Sequence, residues 1–252
     1  NYPDNLVRAF VEEAAQRGFA PPAFDDWDVP ALLDNVRIVA GSHPYGAAEY
    51  GDDAERLTRE LLSSGRAVGV GEIGLDFGPY NEVDEQVQEL AFRRQLRLAH
   101  ELGLPVELHI RDAAGDAGCT AHRLAARILA EEGVPEAGCD LHCFTSNVHV
   151  MEDFKQLGCH IAYGGAATFS RSQDVRDALA LTPSRYIITE TDCPYMAPVP
   201  LRGEECEPAM VAFTAALAAQ VRAEAGVASA QATYRALWQN ACALFDLPDG
   251  KR

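Results

Sequence analysis

Residues 67–76 read Ala67-Val68-Gly69-Val70-Gly71-Glu72-Ile73-Gly74-Leu75-Asp76, a short β-like run that delivers Glu72 inside Gly-Glu-Ile-Gly-Leu-Asp. The design recurs along the chain. Leu104-Pro105-Val106-Glu107-Leu108 delivers His109, with Arg111 and Asp112 behind it, and Cys139-Asp140-Leu141 delivers His142. Tyr186-Ile187-Ile188-Thr189 delivers Glu190 and Asp192, in Glu-Thr-Asp-Cys-Pro-Tyr (190–195). Side chains at the C-terminal ends of parallel strands converge on one face of a β/α barrel. Carboxylates and imidazoles gathered at that mouth make a site for one or two divalent metals.

Between these runs the pattern turns helical. A strand over 36–40 ends at Gly41-Ser42-His43-Pro44, and a helix follows near 52–63. Residues 85–102 carry Phe92, Leu96 and Ala99 at i, i+4 and i+7, and Gly103 is a stop signal. Helices follow at about 120–132, 148–157 and 172–181, and Cys159–Tyr163 reads as a further strand. Strands separated by helices imply a parallel sheet. The last 50 residues read as two helices. One begins at Pro208, with Phe213, Leu217 and Val221 on one face; the other is marked by Tyr234, Leu237, Trp238, Ala241, Leu244 and Phe245. Asn5 to Gly18 reads as a helix, and 19–35 as loop with a short helix. The expectation is a single α/β domain over 1–252, a TIM-like (β/α) barrel. Six strands are countable where a closed barrel has eight. The first two strands are therefore expected to be missing ahead of Asn1.

Composition bounds the class. The chain has 252 residues, 48% hydrophobic and 23% charged, which is the size and make-up of one globular barrel. No run approaches the roughly 20 apolar residues of a membrane span. A net charge of −17 disfavours passive adhesion to nucleic acid but leaves a nucleic-acid substrate open, because bound metals offset acidic ligands. Seven cysteines occur without a Cys-x-x-Cys pair, the pattern of reduced thiols in a cytoplasmic protein. Cys143 and Cys193 flank proposed ligands and are read as buried, small apolar residues rather than as ligands.

The motifs together resemble the TatD family of metal-dependent hydrolases, which includes TatD deoxyribonucleases. The resemblance runs from about residue 36 to 247. It rests on Gly41-Ser42-His43-Pro44, Gly71-Glu72-Ile73-Gly74-Leu75-Asp76-Phe77, Phe92-Arg93-Arg94-Gln95-Leu96, Leu104 to Asp112, His142-Cys143-Phe144-Thr145, Glu190 to Tyr195, Arg202-Gly203 with Glu207-Pro208, and Asn240-Ala241. It implies a TIM-like barrel in which Glu72 bridges two metals. By the same resemblance His109 and His142 bind one metal, and Asp192 helps to bind the other. A His-x-His pair on the first strand completes the second site in that family, and none of the seven histidines here are two apart. Either that segment lies outside this chain or half of a two-metal site has been lost, so one tightly held ion is expected. Two further departures are Tyr45, where a second histidine is common, and Glu204-Glu205, where basic residues are usual.

The residues sort by chemistry. Glu72, His109, His142 and Asp192 are the expected metal ligands, for Zn, Mn or Mg; Glu72 and Asp192 are also the expected catalytic carboxylates. Asp192 can hold a metal-bound water and accept its proton. Glu190, two residues earlier, faces the same side if the strand continues, and supports the site. His43 either lines the site or makes a structural hydrogen bond. Arg111 contacts a substrate phosphate or pairs with Asp112, and Arg202 is placed at the substrate mouth. Glu207 is read as a helix cap, and His100, His122 and His149 as surface residues. The expected activity is that of a metal-dependent hydrolase, in first place a phosphodiesterase or exonuclease-type deoxyribonuclease acting on DNA ends. Two alternatives stand beside it. One is a hydrolase of another ester or amide, such as a D-aminoacyl-tRNA or a small metabolite. The other is a degenerate barrel serving as a subunit of a larger assembly.

Overall fold

The computed structural model describes residues 36–245. Six parallel strands lie side by side in chain order: β1 (Ile38–Val39), β2 (Ala67–Asp76), β3 (Val106–Arg111), β4 (Cys139–Leu141), β5 (His160–Tyr163) and β6 (Ile187–Thr189). Each is joined to the next through a helix: α1 (Asp52–Leu62), α2 (Glu85–Leu102), α3 (Thr120–Glu132), α4 (Val148–Gln156) and α5 (Gln173–Leu181). Two helices close the described chain, α6 (Val211–Glu224) and α7 (Ala230–Leu244). The sheet curls into part of a TIM-like barrel, with β1 and β6 as its edges among the described residues. The helix and loop read from Asn5 to residue 35 lie outside the described residues. No described helix is long and apolar enough to cross a membrane, and no disulfide joins the described cysteines.

Local chemistry sets the helix ends. The Asp84 carboxylate accepts from the Gln86 N–H at the start of α2, and Gly103 ends that helix in the left-handed region at φ 65°. Asn147 accepts from the His149 and Val150 N–H groups at the start of α4, and Ser229 accepts from the Ala232 N–H at the start of α7. The apolar stripes then bury against the sheet. Ile73, Leu108 and Ile161 on the strands, with Phe92, Leu96, Ile128 and Phe154 on the helices, are completely shielded from solvent. Each such side chain contributes about 1.5–3 kcal/mol. Arg93 and Arg97 of α2 reach Glu132 of α3, and Arg59 of α1 reaches Glu101 of α2. The exposed bridges, Arg97–Glu132 and Arg59–Glu101, fix helix register more than they stabilise, at about 1 kcal/mol or less each, and Arg93–Glu132 is half-buried.

Several sequence expectations change. β1 is two residues long, not five. β2 runs four residues past Glu72, and β3 two past His109, so both side chains sit within strands rather than at their ends. Pro208 opens a 3₁₀ turn over Pro208–Met210, and α6 begins after it. Glu207 stands at the cap position of that turn, but its side chain makes no capping bond. On α6 the buried face is Thr214, Ala218 and Arg222, with Phe213 exposed; on α7 Tyr234 and Trp238 are exposed as well. The Arg222 guanidinium is fully buried and donates to the carbonyls of Leu179 and Thr182, where α5 ends. A cation there complements the helix dipole as well as the unpaired carbonyls. His122 is buried, not a surface residue, while His100 and His149 are exposed. Cys193 is exposed, contrary to its expected burial.

Candidate metal centre

The ladder between β2 and β3 explains how Glu72 enters the barrel. Val70 pairs with Val106 and Ile73 with Leu108, so three steps on β2 match two on β3. The extra residue is a bulge at Gly71-Glu72, a device that re-aims a side chain. Beyond it, Gly74 has φ +144°, and a Cβ there would lie 2.2 Å from the His109 carbonyl oxygen. Only glycine lets the two strands approach this closely. β3 keeps strict alternation: Val106, Leu108 and Ile110 are buried in the core, while Glu107, His109 and Arg111 take the other face. β6 ends at Thr189, and Asp192 lies in the turn beyond it at φ 57°. Glu190 and Asp192 therefore share a loop, not a strand face.

Glu72 is the hub of the cluster. Its Oε2 lies 3.3 Å from His109 Nδ1, 3.9 Å from His142 Nε2 and 4.0 Å from His43 Nε2. Glu72, His109 and His142 offer ligand atoms that all lie within 4.8 Å of one another. Ligands about 2.0–2.2 Å from one ion in a tetrahedral site are separated by roughly 3.3–3.6 Å, so the set fits a single ion. Asp192 Oδ1 lies 3.7 Å from His142 Nε2, the nitrogen that also faces Glu72.

The other nitrogen of each imidazole is already committed. His109 Nε2 meets Asp76 Oδ2 at 3.0 Å, and His142 Nδ1 meets Glu190 Oε2 at 2.6 Å. A carboxylate only accepts, so both nitrogens carry protons. In the neutral rings, the form that binds a metal, the lone pairs sit on His109 Nδ1 and His142 Nε2, the two atoms that face Glu72. This is the carboxylate–histidine arrangement that orients metal ligands. His43 is set differently. Its Nδ1 accepts from the Tyr45 N–H at 3.2 Å, and burial with His109 alongside lowers its pKa to about 4. The ring is neutral, with its proton on Nε2. His43, Asp76 and His109 also bring ligand atoms within 4.8 Å, but there His43 Nδ1 already accepts from the Tyr45 N–H and His109 Nε2 already donates to Asp76.

The field at the centre is strongly negative. A hydrogen bond from His109, working against burial, lowers the Glu72 pKa to about 2. Burial opposes charge on His142, yet Glu190, Glu72 and Glu107 together raise its pKa to about 10. Burial raises Asp192, with His142 opposing and Glu190 and Glu72 adding to the rise. Below the centre, burial raises Glu107 to about 7 and lifts Asp140 well above the carboxylate range. Without an ion, a protonated His142 supplies the positive charge that these acids demand. A donor set of two imidazoles and a carboxylate in such a field suits a divalent cation.

The remaining site residues divide. Arg111 does not pair with Asp112; it lies 3.5 Å from Asp76 Oδ2 and donates to the Tyr45 hydroxyl at 3.4 Å. Asp112 instead bonds His122 Nδ1 at 2.6 Å and accepts from the Ala121 and His122 N–H groups at the start of α3. Arg202 stacks over the Phe169 ring at 4.3 Å. The Cys143 thiol lies 3.7 Å from Asp192 Oδ2 and donates to it, and burial raises it far above the ordinary thiol pKa. Sequence reasoning assigned no role to Asp76, Glu107 or Asp140. Period-two alternation could have found Glu107 and Asp140, each two residues before a proposed histidine ligand. Asp76 needed the bulge and the true length of β2.

Comparison with known proteins agrees with this fold. A family model described as TatD related DNase matches residues 29–246. The chain is 36% identical over 207 residues to an uncharacterized metal-dependent hydrolase, YcfH, of Escherichia coli, covering 82% of this chain and 74% of that one. It is 35% identical over 191 residues to the 3'-5' ssDNA/RNA exonuclease TatD of Enterobacter lignolyticus, covering 73% and 70%. Among solved structures, the crystal structure of YjjV, a TatD homolog from Escherichia coli, superposes with a TM-score of 0.74 at 31% identity, covering 86% of this chain and 81% of that one.

Proposed function

The chain belongs to the TatD-related DNase family of metal-dependent hydrolases, and we propose that it is a metal-dependent phosphodiesterase that shortens nucleic acid from an end. The observation that carries this reading is the convergence of His109 Nδ1 and His142 Nε2 on Glu72 Oε2, with the opposite nitrogens held by Asp76 and Glu190. Glu72, His109 and His142 would hold the ion, with Asp192 at its edge. A divalent cation there supplies Lewis acidity toward a phosphoryl oxygen and eases ionisation of the attacking water.

The chain's own groups do the rest. Asp192, with its pKa raised above that of a free carboxylate, accepts the proton of the attacking water. His43 stays neutral at physiological pH and presents its Nε2–H toward the centre, as a hydrogen-bond donor to a phosphoryl oxygen. Arg111, about half exposed and next to Tyr45, receives the phosphate charge. The exonuclease-named relative supports nucleic acid as substrate.

A second reading is hydrolysis of a less anionic ester or amide. It is favoured by Glu204 and Glu205, both exposed, next to Cys206, whose N–H donates to the Pro194 carbonyl at 3.0 Å in the loop that carries Asp192. The test is incubation of Mn²⁺- or Zn²⁺-loaded protein with single-stranded oligonucleotides labelled at the 3' or the 5' end. The proposal expects stepwise shortening from one end. Intact oligonucleotide together with turnover of a neutral ester would favour the second reading.

A further inference from the structure

Asp76 is the least exposed ionisable group at the centre: its residue is 1% exposed and its side chain is fully shielded. A buried carboxylate must be bonded throughout or it is costly. Asp76 is bonded throughout. Oδ1 accepts from the Gly78 N–H at 2.7 Å, and Oδ2 accepts from His109 Nε2–H at 3.0 Å with Arg111 Nη1 3.5 Å away. Its backbone is clamped by Gln88 of α2, which is itself 1% exposed. The Asp76 N–H donates to Gln88 Oε1 at 2.8 Å, and Gln88 Nε2 donates back to the Asp76 carbonyl at 3.1 Å. Gly78 leaves room for this: a Cβ there would lie 2.8 Å from Asp76 Oδ1 and 2.6 Å from Arg111 Cδ. Burial opposes the ionised form of Asp76, but the bonds from His109 and Gly78 outweigh it and hold the group charged.

We propose that Asp76 is a positioning residue that sets two working groups at once, the metal ligand His109 and the substrate-facing Arg111. One oxygen, Oδ2, serves both. By accepting from His109 Nε2–H it leaves the Nδ1 lone pair aimed at Glu72, as metal ligation requires. By its charge it holds the Arg111 head beside Tyr45, at the edge of the centre. Glu190 does the first job for His142, but among the described residues no Arg or Lys lies within ion-pair distance of it, as Arg111 does of Asp76. Asp76 therefore ties the geometry of the phosphate-receiving residue to that of the metal site. This inference rests on the metal reading above.

The test compares Mn²⁺ affinity by calorimetry, the visible spectrum of the Co²⁺-loaded protein, and KM for an oligonucleotide substrate across four variants. Asp76→Asn should weaken Mn²⁺ binding about 10–100-fold, alter the Co²⁺ spectrum, and raise KM. Arg111→Gln should raise KM while leaving Mn²⁺ affinity within about threefold of wild type, because His109 keeps its partner. Gly78→Ala changes no charge and displaces only Asp76 and Arg111. It should reproduce both defects, which keeps the test decisive if Asp76→Asn does not fold. Glu72→Ala is the control for the metal reading itself: if it binds Mn²⁺ as wild type does, that reading fails. If Glu72→Ala loses the ion while folded Asp76→Asn and Gly78→Ala both bind Mn²⁺ with wild-type affinity and an unchanged Co²⁺ spectrum, the role of Asp76 is overturned.

Discussion

Metal binding by this protein should depend steeply on pH, because His142 must give up a proton before it can act as a ligand. In the metal-free state burial disfavours the charged ring, but Glu190 at 2.6 Å, with Glu72 and Glu107, raises its pKa to about 10. At pH 7 the ring is protonated, and removing that proton costs about 4 kcal/mol at about 1.36 kcal/mol per pH unit. Apparent affinity at pH 7 is therefore roughly a thousandfold below its limit. Burial opposes charge on His109 too, but its bonds to Asp76 and Glu72 raise its pKa, so between pH 6.5 and 8.5 the affinity for Mn²⁺ should rise at least about tenfold per pH unit, with at least about one proton released per ion bound. Calorimetry in two buffers of different ionisation enthalpy reads both quantities. Glu190→Gln removes the nearest carboxylate, lowers the His142 pKa and should flatten the dependence. An affinity that is constant over this range, with no proton released, would refute the reasoning.

Three further outcomes are expected. Asp112→Ala removes the acceptor for His122 and for two N–H groups at the start of α3, and should lower stability by roughly 2–4 kcal/mol. Despite its burial, the His122 bond holds the Asp112 pKa below the free value. Its contribution is thus present above the ordinary carboxylate pKa and lost as pH falls through the folded one, so urea midpoints of wild type and variant should draw together below about pH 4. Gly74→Ala places a Cβ against the His109 carbonyl at a positive φ; urea titration should show a loss of roughly 2–4 kcal/mol, and an unchanged midpoint would mean that β2 and β3 can separate freely. Replacing Glu204 and Glu205 by Lys and Arg should steepen the salt dependence of DNA binding by about 0.7–0.9 in log–log slope for each additional phosphate neutralised; an identical slope would place that segment away from the nucleic acid.

Much of the architecture was legible because helix signals are local. The span of α2, 85–102, follows from Phe92, Leu96 and Ala99 with Gly103 as terminator, and the structure has those bounds. Periodicity was less informative on the last two helices. Aromatic residues suggested a face through Phe213 and Trp238, whereas α6 buries small and polar residues such as Thr214, Ala218 and the fully buried Arg222, and α7 buries Thr233 together with the expected Leu237 and Leu244. Packing partners decide such a face, and the sequence does not state them. The ligand candidates were visible as acids and imidazoles after apolar runs, but their orientation was not. The bulge that turns Glu72 inward depends on the β3 register. The partners that choose each imidazole's free nitrogen, Asp76 and Glu190, come from different strands or loops. The alternation rule, applied to Glu190 and Asp192, failed because the strand stops at Thr189. Applied to Glu107 and His109 it holds, and there it leads to a buried carboxylate beneath the centre.

The central claim is that Glu72, His109 and His142 together hold the ion on which hydrolysis depends. The most direct measurement is Mn²⁺ binding by the Glu72→Ala protein, with its fold checked by circular dichroism. Removing the residue that both imidazoles face should cost more than removing a supporting partner, so the account predicts a loss of at least about 100-fold in affinity relative to wild type, together with loss of hydrolysis. A folded Glu72→Ala protein that binds Mn²⁺ as tightly as wild type and retains full activity would contradict it.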